Sequence, residues 1–237
     1  FNQIICVHDP SFVIVLPILF SFASNPNSKV YGLERSKIKL SLLSATNEIL
    51  KKKVKNLIIS VPSVYKSILK ILQNKDEVDL NNTNIITCGE PLDKNLALKI
   101  SGKNPLSFFN LYGSTEVSPW IIYLNISDYL RENKDNISSI IPAGKSLPNT
   151  DLLIHEDQEL IVNSSAVFDG YLHFKENQPF LNFNNKKYFR TGDKFLLEKK
   201  LFFCEGRLSG AIKVAGRFIN PIIIEAALRC ELEISEV

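Results

Sequence analysis

Two short polar segments carry residue types that suit nucleotide chemistry. The segment NLYGSTE at positions 110–116 offers the aromatic ring of Tyr112, two hydroxyl side chains and the carboxylate of Glu116. Such a ring can stack on a base, a hydroxyl can bind phosphate, and a carboxylate can hold Mg²⁺. The segment YFRTGD at 188–193 places the carboxylate of Asp193 in a tight turn, which suits a two-point grip on the hydroxyls of a ribose. Basic residues follow in the segments GR (206–207) and IKVAGR (212–217).

An alternation of strands and helices in the first 120 residues would position the first of these segments. Short apolar runs predict buried strands at 4–7, 12–16, 57–61, 84–87 and 106–111. Helical spacing of apolar residues predicts helices over 36–55, 62–72 and 92–100. This order is typical of a parallel sheet covered by helices, in which ligands bind beyond the carboxyl ends of the strands. Segments 88–90 and 112–116 each come just past a predicted strand.

The pattern changes after Pro142. Turn residues there separate short runs that predict strands at 151–155, 159–163, 187–190, 194–198 and 201–205. These strands indicate an antiparallel meander or a small barrel. We therefore expect an α/β chain with three parts. They are a helix-covered parallel-sheet subdomain (1–137), a small antiparallel β-barrel-like subdomain (138–205), and the hinge and start of a C-terminal α+β subdomain (206–237) with a helix at 222–228.

The composition excludes several classes of function. The 28 basic and 25 acidic residues leave a net charge of +3, so a dominant nucleic-acid-binding surface is not expected. The 4 cysteines and 3 histidines are scattered without C-x-x-C spacing, which gives no support to a zinc or thioredoxin-type site. The longest apolar run, 11–23, contains Pro17 and is too short to span a bilayer. We expect a cytoplasmic protein without a membrane span.

A series of motifs follows a fixed order between residues 87 and 225. It comprises TCGEPL (87–92), NLYGSTE (110–116), IPAGK (141–145), ELIV (159–162) with GYL (170–172), RTGD (190–193), and GR (206–207) to GR (216–217) with PIIIE (221–225). In this order the chain resembles the adenylate-forming (acyl- and aminoacyl-AMP) enzyme superfamily. It looks most like D-alanine–carrier protein ligases and nonribosomal peptide synthetase adenylation domains. The segment HDPSFV (8–13) occupies the place of their aromatic-Asp-x-Ser motif, and the CGE form at 88–90 is also similar.

The resemblance implies a role for each matching nucleotide-site residue. Tyr112 would stack on adenine, Thr115 would contact the α-phosphate, and Glu116 would hold Mg²⁺. Asp193 would grip the ribose with help from Arg207. The other residues implied to bind the nucleotide are Gly89, Glu90, Pro91, Asn110 and Gly113. The implied cofactors are ATP and Mg²⁺, with Thr115 and Glu116 as the catalytic pair.

The resemblance also implies a pocket for the acid that is activated. Its residues would be Asp9, Pro10, Val13, Ser60, Ile86, Cys88, Leu111 and Trp120. Asp9 would bind the ammonium group of an amino acid, which a carboxylate can do by a charge-assisted hydrogen bond. By residue type alone, Asp9 is equally a turn residue before Pro10. The bulk of Trp120 beside Leu111 suggests a small substrate such as alanine, glycine or serine, although a single tryptophan also serves as core packing.

The implied reaction has two halves. The substrate carboxylate attacks the α-phosphate of ATP and expels pyrophosphate, and the resulting adenylate passes its acyl group to the phosphopantetheine thiol of a carrier protein. The first half depends on positioning and charge neutralisation. Two alternatives stay open: an acyl-CoA ligase fragment, which would not need the Asp9 carboxylate, and a catalytically dead nucleotide-binding or docking module.

The chain also departs from the family pattern. No phosphate loop precedes residue 8, the late catalytic lysine of the family is not present after residue 225, and Ser209 stands where the family has a hinge aspartate. We expect that the chain by itself lacks full adenylation activity, and that a longer polypeptide or a second chain supplies the missing N-terminal half.

Overall fold

The computed structural model describes residues 3–6, 29–32, 55–72, 79–134, 136–172, 178–210, 212–214, 217–219 and 221–232. The chain divides into two units, Phe1–Asn110 with Asn125–Ile137 and Leu111–Leu124 with Ser138–Val237. The subdomain boundaries expected near 137 and 205 stay a prediction. The strand predicted at 12–16 and the helix predicted at 36–55 lie outside the described residues.

The first unit contains a parallel sheet. Its strands are β1 (Gln3–Cys6), β2 (Lys29–Gly32), β3 (Asn56–Ser60), β4 (Thr83–Cys88) and the beginning of β5 (Ser107–Ser114). β1 pairs in parallel with β2 and with β3, and β3 pairs in parallel with β4. The strands lie in the order β2-β1-β3-β4-β5. Because Ile58, Ile59 and Ile85 are buried, these strands read in the sequence as nearly continuous apolar runs.

Two helices connect these strands, as the sequence predicts. α1 (Pro62–Leu72) follows β3, and α2 (Lys94–Ser101) follows β4. The buried hydroxyl of Tyr65 on α1 donates toward the carbonyl oxygens of Ile58 (3.0 Å) and Ile86 (2.9 Å), which ties the helix to two strands. Asp93 caps α2 by accepting a hydrogen bond from the backbone N–H of Leu96 at 2.8 Å.

A strand and a short helix follow that the sequence analysis did not predict. They are β6 (Ser118–Asn125) and α3 (Ile126–Glu132). The side chain of Asn125 accepts from the backbone N–H of Asp128 and so caps α3. A helix of 7 residues spans only two turns, which is too short for the 3.6-residue period to stand out.

The second unit contains an antiparallel sheet. Its strands are β8 (Asp151–Ile154), β9 (Glu159–Asn163), β10 (Phe180–Phe183), β11 (Lys186–Glu198) and β12 (Leu201–Arg207), and in the same unit β6 pairs antiparallel with β7 (Lys145–Ser146). The order is β10-β11-β9-β8, with β12 also on β11. The predicted antiparallel meander is confirmed. The described strands form an open sheet, so the barrel-like closure expected for this part is corrected to an open antiparallel sheet.

β11 is one strand of 13 residues, where the sequence predicts two. Its pairing with β9 shifts register between Arg190 and Lys194, and Gly192 within this bulge has a φ of +70°. The polar residues of the bulge look like a turn in the sequence, but a bulge lets the strand continue after them. β11 therefore carries Asp193 on a pinned strand.

The core of the second unit is largely aromatic and β-branched. Phe189 and Phe195 of β11 and Phe202 of β12 pack with residues of β6 and β9. The chain ends with the strands β13 (Ile212–Val214) and β14 (Arg217–Ile219), which pair antiparallel, and with α4 (Pro221–Leu232). The helix predicted at 222–228 is confirmed.

Candidate functional site

Three of the predicted site residues meet in the second unit. The hydroxyl of Tyr112 donates to Oδ2 of Asp193 at 2.6 Å, although the two residues are 81 positions apart. The Nε atom of Arg207 lies 3.0 Å from Oδ1 of the same carboxylate. We call these three residues the Asp193 cluster. Each oxygen of the carboxylate thus has a partner, in the two-pronged geometry that also suits the vicinal hydroxyls of a ribose.

Burial dominates the electrostatics of this cluster. Asp193 is 8 % exposed. Burial raises the pKa of Asp193 above its ordinary value, although the Tyr112 hydrogen bond and the Arg207 charge act in the opposite direction. Burial, and then the neighbouring Asp193 charge, raise the pKa of Tyr112 well above 10.0, so its hydroxyl stays protonated and remains a donor. The Tyr112 ring packs edge-on against Phe195 with centroids 4.8 Å apart.

The bulge that carries Asp193 is held by Thr191. Its hydroxyl donates to the carbonyl oxygen of Leu160 at 2.8 Å and accepts from the backbone N–H of Asp193 at 3.1 Å. The guanidinium of Arg207 also donates to the Thr191 carbonyl oxygen at 3.1 Å. Arg207 therefore contacts both the carboxylate and the backbone of the bulge.

The bulge is held a second time by Glu159, to which the sequence analysis gave no role. The buried Glu159 carboxylate accepts from the backbone N–H of Gly192 at 2.9 Å. It also accepts from Nε of Arg190 at 2.8 Å, and lies 2.7 Å from a second nitrogen of the same guanidinium. The signal in the sequence was an acidic residue at the start of β9, directly before the apolar run at 160–162.

Glu116 lies in a second polar cluster of the same unit. Its Oε1 atom accepts from the hydroxyl of Tyr171 at 2.8 Å, and its backbone carbonyl accepts from the N–H of Phe168 at 2.8 Å. Partial burial would raise the pKa of Glu116, but the hydrogen bond from Tyr171 and the nearby Arg207 charge lower it below its ordinary value. The carboxylate is thus kept ionised. Sequence reasoning missed the contact with Tyr171.

Glu116 fits the chemistry of a magnesium ligand. Mg²⁺ prefers hard oxygen ligands and is commonly bound through one or two carboxylates, with phosphate oxygens and water completing the shell. Within the described residues no cluster of three or more His, Cys, Asp or Glu side chains is found. A single ionised carboxylate beside a bound triphosphate is compatible with that observation.

Glu90 has a structural contact in the first unit that its predicted role did not include. Its Oε2 atom accepts from the backbone N–H of Ser63 at 3.0 Å, and its Oε1 atom accepts from the Ser63 hydroxyl at 2.9 Å. A carboxylate there caps the N-terminus of α1. Its neighbour Gly89 has a φ of +79°, a conformation that favours glycine. Pro91 follows, half-buried.

The other predicted residues divide between the two units. Ser60, Ile86 and Cys88 lie at the carboxyl ends of β3 and β4, and Asn110 on β5 accepts from the Thr87 hydroxyl at 3.0 Å. Leu111 and Trp120 belong to the second unit and are half-buried, as is Gly113, while Thr115 is exposed. Asp9, Pro10 and Val13 lie outside the described residues. Ser209 is exposed in a short 3₁₀ turn, Leu208–Gly210.

Among the described residues, no helix has both the length and the apolar character required to cross a bilayer.

Comparisons with known proteins agree with the motif order. Residues 10–180 match the family of AMP-binding enzymes. The D-alanine–D-alanyl carrier protein ligase of Staphylococcus epidermidis is 30 % identical over 194 residues, which are 80 % of this chain and 39 % of that protein. The chain therefore spans less than half the length of such curated relatives.

Solved structures show the same fold. The adenylation domain AlmE of Vibrio cholerae, in complex with glycyl-adenosine-5′-phosphate, superimposes with a TM-score of 0.71 at 20 % identity. The match covers 99 % of this chain and 46 % of that one. The O-succinylbenzoate coenzyme A synthetase of Bacillus subtilis, with ATP and magnesium, gives a TM-score of 0.72 at 19 % identity, over 99 % of this chain and 48 % of that one. Since the family match covers most of the sequence, the chain belongs to the AMP-binding, adenylate-forming enzymes.

Proposed function

We propose that the protein containing this chain activates an amino acid with ATP and passes it to the thiol of a carrier protein. The observation that carries the proposal is the Asp193 cluster, in which a buried carboxylate, a tyrosine and an arginine from three separate motifs meet. The Staphylococcus relative is a D-alanine–D-alanyl carrier protein ligase, which supports both the amino-acid substrate and the carrier partner.

The residues of the cluster would bind and orient the nucleotide. Asp193 accepts a hydrogen bond from Tyr112 and forms an ion pair with Arg207 in the structure, and we expect it to accept hydrogen bonds from the ribose hydroxyls in the complex. Arg207 holds that carboxylate and the bulge behind it, so the acceptor does not need to reorganise when the ribose arrives. Tyr112 would present its ring to adenine while its hydroxyl stays on Asp193.

The second cluster would act at the phosphates. Bound Mg²⁺ supplies charge neutralisation there, and Glu116 is the carboxylate that would hold it. Thr115, one residue earlier, would donate its hydroxyl to an oxygen of the α-phosphate. In the reaction, an oxygen of the substrate carboxylate forms a bond to the α-phosphorus while the bond to pyrophosphate breaks. The chain's own contribution is position and charge.

The substrate side rests on fewer observations. A small amino acid is favoured by the name of the relative and by the bulk of Trp120, whose buried Nε1 atom has no hydrogen-bond partner in the described part of the chain. Asp9 remains the proposed partner of the substrate ammonium group. A second chain that completes the domain, and a cytoplasmic location, stay predictions.

The test uses the polypeptide as it occurs in its host. We expect ATP–pyrophosphate exchange that depends on D-alanine, L-alanine or glycine. Asp193→Asn should weaken AMP binding by about 10- to 100-fold, since hydrogen bonds to charged groups are worth about 1.5–3 kcal/mol. The matched control is Asp151→Asn, because Asp151 also accepts from a tyrosine (Tyr188, 2.7 Å) and a cation (Lys186, 2.8 Å).

Other outcomes are informative. Exchange that needs a simple carboxylic acid instead of an amino acid would favour the acyl-CoA ligase. AMP binding that Asp193→Asn weakens, without any exchange, would favour the nucleotide-binding module. AMP binding that is unaffected by Asp193→Asn would overturn the assignment of the cluster.

A further inference from the structure

Tyr171 contacts the carboxylate proposed to hold Mg²⁺, through a bond that the motif pattern does not reveal. Its hydroxyl donates to Oε1 of Glu116 at 2.8 Å across 55 positions of sequence. We propose that Tyr171 is a positioning residue for Glu116, and that the side-chain amide of Gln178 fixes Tyr171 in place for this purpose. The inference rests on the proposed function, in which Glu116 is a magnesium ligand.

Gln178 engages the Tyr171 backbone from both sides. Its Oε1 atom accepts from the Tyr171 N–H at 2.9 Å, and its Nε2 atom donates to the Tyr171 carbonyl oxygen at 3.0 Å. One side-chain amide thus satisfies both backbone groups of a single residue, as a neighbouring β-strand would. We call this pair of hydrogen bonds the Gln178 clip. It fixes the peptide from which the tyrosine ring projects.

Gly170 makes room for the clip. Its φ is +145°, and a Cβ atom added there would lie 2.7 Å from Oε1 of Gln178. A side chain at this position would therefore both strain the backbone and displace the amide. The glycine before Tyr171 is explained by the clip, which links the Gly-Tyr pair of the sequence to Glu116.

Phe168, in the same loop, contacts Tyr171 with its ring and Glu116 with its backbone. The Phe168 ring packs edge-on against Tyr171 with centroids 4.8 Å apart. The N–H of Phe168 donates to the backbone carbonyl of Glu116 at 2.8 Å. The loop thus fixes both the main chain and the carboxylate of Glu116. A ligand held at two points loses less conformational freedom on binding a cation.

This arrangement separates positioning from packing. Tyr171→Phe removes only the hydroxyl and keeps the ring against Phe168. Tyr188→Phe is the matched control, because Tyr188 also donates to a carboxylate (Asp151, 2.7 Å) but lies in a different cluster. Gln178→Leu removes both hydrogen bonds of the clip and leaves the Tyr171 hydroxyl in the sequence.

The experiment measures Mn²⁺–ATP binding to the natural polypeptide without amino acid, by water-proton relaxation, which reports bound manganese without turnover. We expect Tyr171→Phe to weaken Mn²⁺–ATP binding by about three- to tenfold, at or below the low end of the roughly 10- to 100-fold that outer-shell partners contribute, because Tyr171 is 42 % exposed. Metal-free AMP binding should not change. Tyr188→Phe should alter neither affinity. Gln178→Leu should weaken Mn²⁺–ATP binding to a similar degree and speed the exchange of the Tyr171 amide proton.

Each remaining outcome decides a separate point. Unchanged Mn²⁺–ATP affinity in Tyr171→Phe would overturn the positioning role while leaving the proposed function intact. Unchanged amide exchange in Gln178→Leu would overturn the clip. If Mn²⁺–ATP binding depends on Tyr171 but the wild-type protein shows no pyrophosphate exchange with any amino acid, this inference is supported and the proposed function is contradicted. Wild-type protein that binds no Mn²⁺–ATP would overturn both.

Discussion

Replacement of Glu159 should destabilise the bulge that carries Asp193, although Glu159 itself is not proposed to contact a ligand. Its buried carboxylate accepts from the Gly192 N–H and from two nitrogens of Arg190, at 2.9, 2.8 and 2.7 Å. Glu159→Gln keeps the shape of the side chain, but it removes the charge and turns an NH₂ group toward a donor. The bulge that presents Asp193 would then lose one of its three side-chain anchors, the other two being Thr191 and Arg207.

The magnitude follows from the exposure of the partners. Hydrogen bonds to a charged group contribute about 1.5–3 kcal/mol, and this applies to the Gly192 bond, since that bond is partly buried. The Arg190 side chain is 54 % exposed, so its pairing is screened and adds about 0–1 kcal/mol. We expect a local loss of about 2–3 kcal/mol. That corresponds to a roughly 30- to 100-fold faster exchange of the Gly192 amide proton, because about 1.4 kcal/mol is a factor of ten.

The assay is amide hydrogen exchange on the natural polypeptide, followed by AMP affinity. Glu205→Gln is the control, because Glu205 lies on β12 and pairs with Lys194 of the same strand β11 at 2.9 Å, whereas Glu159 binds Gly192 and Arg190 from β9. We expect fast exchange at Gly192 and weaker AMP binding in Glu159→Gln only. A Gly192 exchange rate within about fivefold of wild type would show that Thr191 and Arg207 hold the bulge without Glu159, and the argument for Glu159 would fail.

Three further predictions concern stability. Because the folded pKa of Asp193 is raised, the ionised carboxylate disfavours folding once the pH rises through that pKa. Asp193→Asn should therefore raise the midpoint of urea unfolding at neutral pH, and this gain should vanish in acid. A lower midpoint at neutral pH would contradict the expected direction of the effect. Gly144→Ala should destabilise the folded protein by about 3 kcal/mol or more, since a Cβ at its φ of +124° would lie 1.9 Å from the Tyr123 carbonyl oxygen. Gly210→Ala is the control and should leave thermal unfolding nearly unchanged. Tyr65→Phe should lower the free energy of unfolding in urea by about 1–2 kcal/mol, because its hydrogen bonds to two strands are lost. The control is Tyr123→Phe, because Tyr123 is 38 % exposed and its hydroxyl makes no such bond among the described residues.

Local pattern was enough to predict most of the sheet, and the reason is burial. β3 and β4 are short apolar runs because both of their faces are covered, and α1 begins at a proline that suits a first turn. The same reasoning split β11 in two, since RTGD reads as a turn. Only pairing with β9, 31 positions earlier in the chain, shows that Thr191 and Gly192 form a bulge inside one strand.

The site was predictable as residue types and not as contacts. Tyr112, Asp193 and Arg207 stand in recognisable motifs, but the bond between Tyr112 and Asp193 joins residues that no local pattern relates. The partners that hold the ligands in place were missed for the same reason. Glu159, Tyr171 and Gln178 each act on a residue at least several positions away, through a single side chain whose direction depends on the packed fold.

Asp151 and Asp193 show how the fold assigns different behaviour to the same chemistry. Each carboxylate accepts from a tyrosine hydroxyl and pairs with a basic side chain. The hydrogen bonds from Lys186 and Tyr188 lower the pKa of the exposed Asp151, whereas burial raises the pKa of Asp193 above its ordinary value. Desolvation is the largest cause of the raised pKa of Asp193, and the nearby charges of Glu116 and Glu159 act in the same direction. The Asp193 carboxylate is costly to ionise, although Tyr112 and Arg207 hold it on the bulge. The ionised form of such a carboxylate is stabilised most when a ligand brings further hydrogen-bond donors. This is why we place nucleotide binding at Asp193 and use Asp151 as its control.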